Sequence, residues 1–152
     1  MSDYHRAHEP YIRTVAAALA AAGFPNDGGN AEPNDPRDGF IDLDLERLRT
    51  IDGEPIWTVQ QVAVCWQEER GWWLLTVADT TSNDGRYVYG LDVATIAAPS
   101  TVVAAVAEKA GLNIEVAACG YPDVDSSAHE FDEDDPEFEA ALAVYAEVPN
   151  VR

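Results

Sequence analysis

The sequence predicts an α+β fold: an N-terminal helix, an antiparallel meander of four to five strands, a second helix, an acidic segment and a C-terminal helix. Three observations predict it. The apolar spacing switches from a period near 3.6 to a period of 2 close to residue 40. Glycine-bearing turns then separate short alternating runs. Helical spacing returns after Pro99 and again after Pro136.

Residues 9–23 carry Ile12, Val15, Ala16, Leu19 and Ala22 as one stripe, with Pro10 in the first turn and Gly23 at the end. Residues 24–39 are dense in Gly, Asn, Asp and Pro and read as a long loop. In the first strand, residues 40–45, Ile41, Leu43 and Leu45 point one way and Asp42 and Asp44 the other, so one face meets water. Residues 59–66 and 72–78 form the next two strands, joined by a hairpin loop ending in Gly71. Asn83-Asp84-Gly85 marks a turn before the fourth strand, residues 87–93. The second helix begins near Pro99 and ends at Gly111, with Val102, Val103 and Val106 apolar. Residues 112–118 suit a short fifth strand. In the third helix, residues 137–146, Asp135 caps, Pro136 opens, and Phe138, Leu142 and Tyr145 share one face.

A chain of 152 residues fits one domain around one core. Residues 1–118 form that core domain, and 119–152 an acidic extension whose helix docks on it. The net charge of −19 is unevenly spread. Residues 1–120 hold 18 acids against 8 bases, whereas 121–152 hold 10 acids against Arg152 alone. Such a field repels phosphate, so direct nucleic-acid binding and anionic membranes are excluded and a basic protein partner is favoured. No apolar run approaches a membrane span, and the N-terminus lacks a signal-peptide layout. Cys65 and Cys119 are too few for a disulfide framework, and both are expected as free thiols in the cytoplasm.

Tyr11-Ile12-Arg13, Val15-Ala16-Ala17-Ala18-Leu19, Asp35-Pro36-Arg37-Asp38 and Val62-Ala63-Val64-Cys65-Trp66 stand in that order. Together with Trp66-Gln67-Glu68-Glu69-Arg70-Gly71-Trp72 and Ala98-Pro99 before Val102, they resemble a family of small actinobacterial domains of unknown function. The resemblance covers roughly residues 10–110, and the stretch from Trp66 to Trp72 is its most specific part. It supports the fold and implies no catalytic residues.

Three of the four tryptophans, Trp66, Trp72 and Trp73, lie on the hairpin and are candidate anchors for a partner. Trp72 and Trp73 are adjacent on a strand, so they face opposite sides of the sheet. Asp132, Glu133, Asp134, Asp135 and Glu137 belong to a run with six acids in eight residues, denser than helix capping requires and suited to a basic partner. Counted from Asp123, the carboxylates Asp123, Asp125 and Asp134 have a partly calcium-like spacing. Ala128 stands where a calcium loop needs Gly, and Asp134 where it needs Glu, so a solvated, mobile acidic loop over 121–135 is the simpler reading. His5 and His8 form a metal-like pair on an exposed, frayed terminus. Asp42 and Asp44 share a strand face, which solvation explains equally well.

No nucleophile elbow, phosphate loop or dinucleotide fingerprint is present, so no catalytic residue and no cofactor is assigned. The leading expectation is a non-catalytic acidic protein-interaction module. The alternative is a nucleic-acid mimic that inhibits a DNA-binding protein in a phage or host-defence setting. A small hydrolase or metal-dependent enzyme comes third. A module needs an apolar patch with a charged rim, a mimic needs carboxylates across one continuous face, and an enzyme needs a pocket with convergent polar groups.

Overall fold

The computed structural model describes residues 4–48, 56–79, 81, 85–112, 116, 120–125, 129–130 and 135–146. A 3-10 turn at Tyr4–Arg6 leads into α1 (Glu9–Ala21). The strands β1 (Asn30–Glu32), β2 (Asp38–Asp42), β3 (Gln61–Gln67), β4 (Gly71–Val77) and β5 (Arg86–Gly90) follow, then α2 (Pro99–Lys109) and α3 (Pro136–Ala146). The strands make one antiparallel sheet in the order β1-β2-β3-β4-β5, so each pairs with the next. This is the α+β class that the sequence predicts. The fifth strand expected at 112–118 falls mostly outside the described residues.

The helix ends follow from their glycines. Gly23 has φ 103° and Gly111 φ 74°, a conformation side-chain-bearing residues avoid. The residue after each turns back onto its helix: Phe24 N–H donates to Leu19 O at 2.8 Å, and Leu112 N–H to Ala107 O at 2.9 Å. The β3–β4 hairpin obeys the same chemistry. Gln67 pairs with Gly71, leaving Glu68, Glu69 and Arg70 as the loop, and Gly71 takes φ 81°.

Residues 24–39 are not wholly the loop their composition suggests. Asn30–Glu32 pairs with β2, and β2 starts at Asp38 rather than Phe40. Asn26 pairs with Leu43 in an isolated bridge and donates its side-chain amide to Ala16 O at 2.9 Å. The turn residues thus tie the segment beneath α1. Propensity alone missed this, because the pairing depends on long-range contact.

Cross-strand partners share a sheet face, which sorts the two sides. One carries Ile41, Val62, Val64, Trp66, Trp72 and Leu74, all buried. All three helices contribute to the core on this side: Tyr11, Ile12, Val15 and Leu19 from α1, Val102, Val103 and Val106 from α2, and Phe138, Leu142 and Tyr145 from α3. Tyr11 fastens the layers. Its hydroxyl donates to Ala97 O at 2.6 Å and accepts Trp72 Nε1–H at 3.0 Å. Trp66 Nε1–H donates to Thr95 O at 2.7 Å.

At the sheet's edge, β5 is exposed along its whole length; Tyr87 is 58% accessible, Val88 65% and Tyr89 43%. Among the described residues no helix is long and apolar enough to cross a membrane.

The acidic segment is more tightly held than its charge suggests. Val124 pairs with Ile96, and the Asp123 carboxylate accepts Ala98 N–H at 2.7 Å, just before α2. His129 is buried. Of the segment's described residues, Pro122, Asp123, Asp125 and Glu130 are exposed, in keeping with a solvated acidic stretch, while the Val124–Ile96 pairing and the buried His129 anchor it to the core.

Candidate functional site

The hairpin divides its tryptophans. Trp66 is fully buried and Trp72 2% exposed; both belong to the core and present nothing to a partner. Trp73 pairs with Cys65 on the opposite face, away from the core that the described helices cover, and is half-buried. Of the three hairpin anchors expected from the sequence, Trp73 alone stands at the surface. The alternation of side chains places it there.

That face is shaped by size alternation along β3. Val62, Val64 and Trp66 point into the core, while the small residues Ala63 and Cys65 point outward. Phe40 on β2 and Trp73 and Leu75 on β4 rise on either side. The result is a trough along β3 with a cavity of about 230 Å³. Its walls lie two strand spacings apart, roughly 9–10 Å. Ala63 and Cys65 form its floor and are nearly enclosed, at 3% and 8% exposure. Asp38 and Asp42 flank Phe40 on the same face. Their present partners are neutral amides: Asn34 Nδ2–H donates to Asp38 at 3.0 Å and Gln61 Nε2–H to Asp42 at 2.9 Å. Among the described residues neither meets a basic side chain. Burial first, and then the Asp42 and Asp38 charges, push the Cys65 thiol up to about 12, so the floor lies in a negative field. Cys65 is a free thiol. Asp44, the other half of the strand-face pair, is not part of the trough lining.

A second constellation lies in the core, between the hairpin loop and α3. Arg37 and Glu68 are fully buried and form a two-pronged pair: Arg37 Nε–H donates to Glu68 Oε2 at 3.1 Å, and an Nη2–H to Oε1 at 2.8 Å. The same guanidinium donates to both Glu139 oxygens, at 3.1 and 2.6 Å. His129 stacks on Phe138 with ring centroids 3.8 Å apart. Its two ring nitrogens lie at hydrogen-bond distance from the Glu68 carboxylate, at 2.8 Å, and from the Asp135 carboxylate, at 3.0 Å. Burial raises the Glu68 carboxyl's pKa, but the Arg37 and His129 hydrogen bonds outweigh it and hold the group below the usual carboxylate range. Burial likewise lowers Arg37, and the bonds to Glu68 and Glu139 reverse the shift. His129 and the N–H of Phe138 hold Asp135 low as well, so Asp135 caps α3 and orients the imidazole together.

Sequence reasoning assigned Asp135 but missed Arg37, Glu68, His129 and Glu139. One signal was available. Arg37 and Glu68 sit in two of the family-like stretches, Asp35 to Asp38 and Trp66 to Trp72, and the fold joins those stretches through this pair.

The remaining predicted residues scatter. Asp123 and Asp125 are used internally, the latter accepting the Thr95 hydroxyl at 3.3 Å. Asp134, Asp132 and Glu133 lie outside the described residues. Glu137 is exposed on the first turn of α3. Among the described residues no group of three or more His, Cys, Asp or Glu is arranged to hold a metal ion. His5 bonds Asp35 at 2.9 Å. His8 is not frayed but fully buried, its Nε2–H shared between Asp38 O at 2.8 Å and Glu32 O at 3.0 Å. β1 and β2 supply carbonyls that the terminus reaches only in the folded chain.

The profile of a family described as "Family of unknown function (DUF6292)" matches residues 11–108. No curated protein and no solved structure matches the chain. The match includes Arg37, Glu68 and the trough. Asp135, His129 and Glu139 lie beyond it.

Proposed function

The chain belongs to that family of unknown function, and we propose that it is a non-catalytic, acidic interaction module that docks a basic protein through the sheet face opposite the described helices. One observation carries this reading: Trp73, Phe40 and Leu75 are half-buried on a face no described helix covers, and Asp38 and Asp42 stand beside them. That is an apolar patch with an acidic rim, in a chain of net charge −19. A nucleic-acid mimic would need an unbroken array of carboxylates, and the aromatic side chains interrupt one here. The buried Arg37–Glu68–His129 network is engaged with itself, which suits a structural role better than a reactive one. The free thiol of Cys65 fits a reducing cytoplasm.

Capture of proteins from the native host, with the wild-type chain and a Trp73→Ser variant, tests the proposal. The expected ligand is a basic protein retained at 0.1 M salt and released towards 1 M, where the Debye length falls from about 10 to about 3 Å. Trp73→Ser should lose it. Equal capture by the variant, or a captured protein that is acidic, would count against the reading.

A further inference from the structure

The trough over β3, with walls roughly 9–10 Å apart, is too narrow for a helix about 10–12 Å across, and its width and chemistry suit one long side chain. Resting on the interaction reading above, we propose that it seats a single lysine or arginine side chain of the basic partner. The floor, Ala63 and Cys65, is apolar and nearly enclosed, which suits an alkyl stem. Trp73 and Phe40 form facing aromatic walls, and a cation over such a ring gains electrostatic attraction. Asp42 stands at the β2 wall and receives only an amide N–H from Gln61, so its charge is uncompensated among the described residues. Stem, ring and carboxylate thus lie along the path of one aliphatic cation. An anionic side chain would meet the Asp42 and Asp38 charges beside the floor. A purely apolar side chain would leave Asp42 without a counter-charge.

The test is an amide chemical-shift titration of the full chain with a blocked pentapeptide carrying one lysine between glycines, beside the same peptide carrying norleucine. The lysine peptide should perturb Ala63, Cys65 and Trp73 and bind about threefold to thirtyfold more tightly than norleucine. Ala63→Leu fills the floor and should abolish the perturbation. Asp42→Asn keeps an acceptor for Gln61, leaves the spectrum otherwise native, and should weaken binding severalfold. Equal binding of lysine and norleucine peptides would overturn the proposal, as would binding indifferent to both substitutions. Free n-butylammonium binding as tightly as the peptide would assign the trough to small amines and overturn it too. Perturbations confined to residues 120–146 would remove the trough but leave acidic docking of a basic partner standing. Failure of the capture experiment would remove that wider reading.

Discussion

At Gly39 a hydrogen replaces a side chain for a reason visible only in three dimensions. A Cβ there would lie 2.8 Å from Asn30 O and 3.1 Å from the Ile12 side chain. The obstacle is backbone, which cannot rotate away. Gly39→Ala should therefore cost about 1–3 kcal/mol, read as a lower urea midpoint at unchanged slope. Nothing in the local sequence marks this glycine out from its turn-forming neighbours, because the constraint comes from the pairing of β1. His8 was equally illegible: a histidine near a terminus reads as exposed until Trp66, stacked at 5.7 Å, and two carbonyls enclose it. Burial holds its pKa below 6.5, against the Asp38 carbonyl bond and with the help of Arg37; Glu68 opposes weakly. The unfolded chain then takes up a proton at a higher pH than the folded one. Stability should be complete above about pH 6.5 and decline as pH falls towards the lowered folded value. Glu68 and Asp135, held below the usual carboxylate range, add a second loss beneath about pH 4. Urea titrations at pH 8 and 5.5 should separate wild type from His8→Gln, whose stability should not fall over that interval.

Among the elements, α3 shows most clearly what spacing reveals and what it hides. Phe138, Leu142 and Tyr145 are predicted from their periodicity and are buried as predicted. The Asp135 cap is legible too. What periodicity hides is the acceptor surface. Phe138 lies against His129 and stacks with Trp66 at 6.4 Å, and no short-range pattern announces either contact. Phe138→Ala should cost about 3–5 kcal/mol by leaving a cavity between these rings. Chemical denaturation gives the value directly. A loss below about 1 kcal/mol would mean that α3 is a loosely attached appendage. The strands were legible to within a few residues because alternation and hairpin glycines both act locally. β1 was not, since its three residues are paired by distant ones.

Across the whole molecule, charge and edge geometry act together. Among the described residues β5 leaves one side unpaired and exposes Tyr87, Val88 and Tyr89, an arrangement open to pairing with another chain. It carries no proline, and its one charge, Arg86, stands at its first residue. The net charge of −19 supplies the protection instead, by mutual repulsion of copies. Salt should weaken that protection. Light scattering should rise between 0.1 and 1 M sodium chloride, and Val88→Lys should suppress the rise. Flat scattering in the wild type would show that β5 does not self-pair.

The Arg37–Glu139 bond joins residues 102 positions apart, whereas Arg37 and Glu68 are separated by 31. Closing the longer loop costs more chain entropy, so the sheet and its internal ion pair can assemble before α3 arrives. The last contact to form is then the first to break. Glu139→Gln should leave the refolding rate nearly unchanged and speed unfolding, the signature of an interaction absent from the transition state. Arg37 would spend the early part of folding with one carboxylate and acquire its second only as the chain closes.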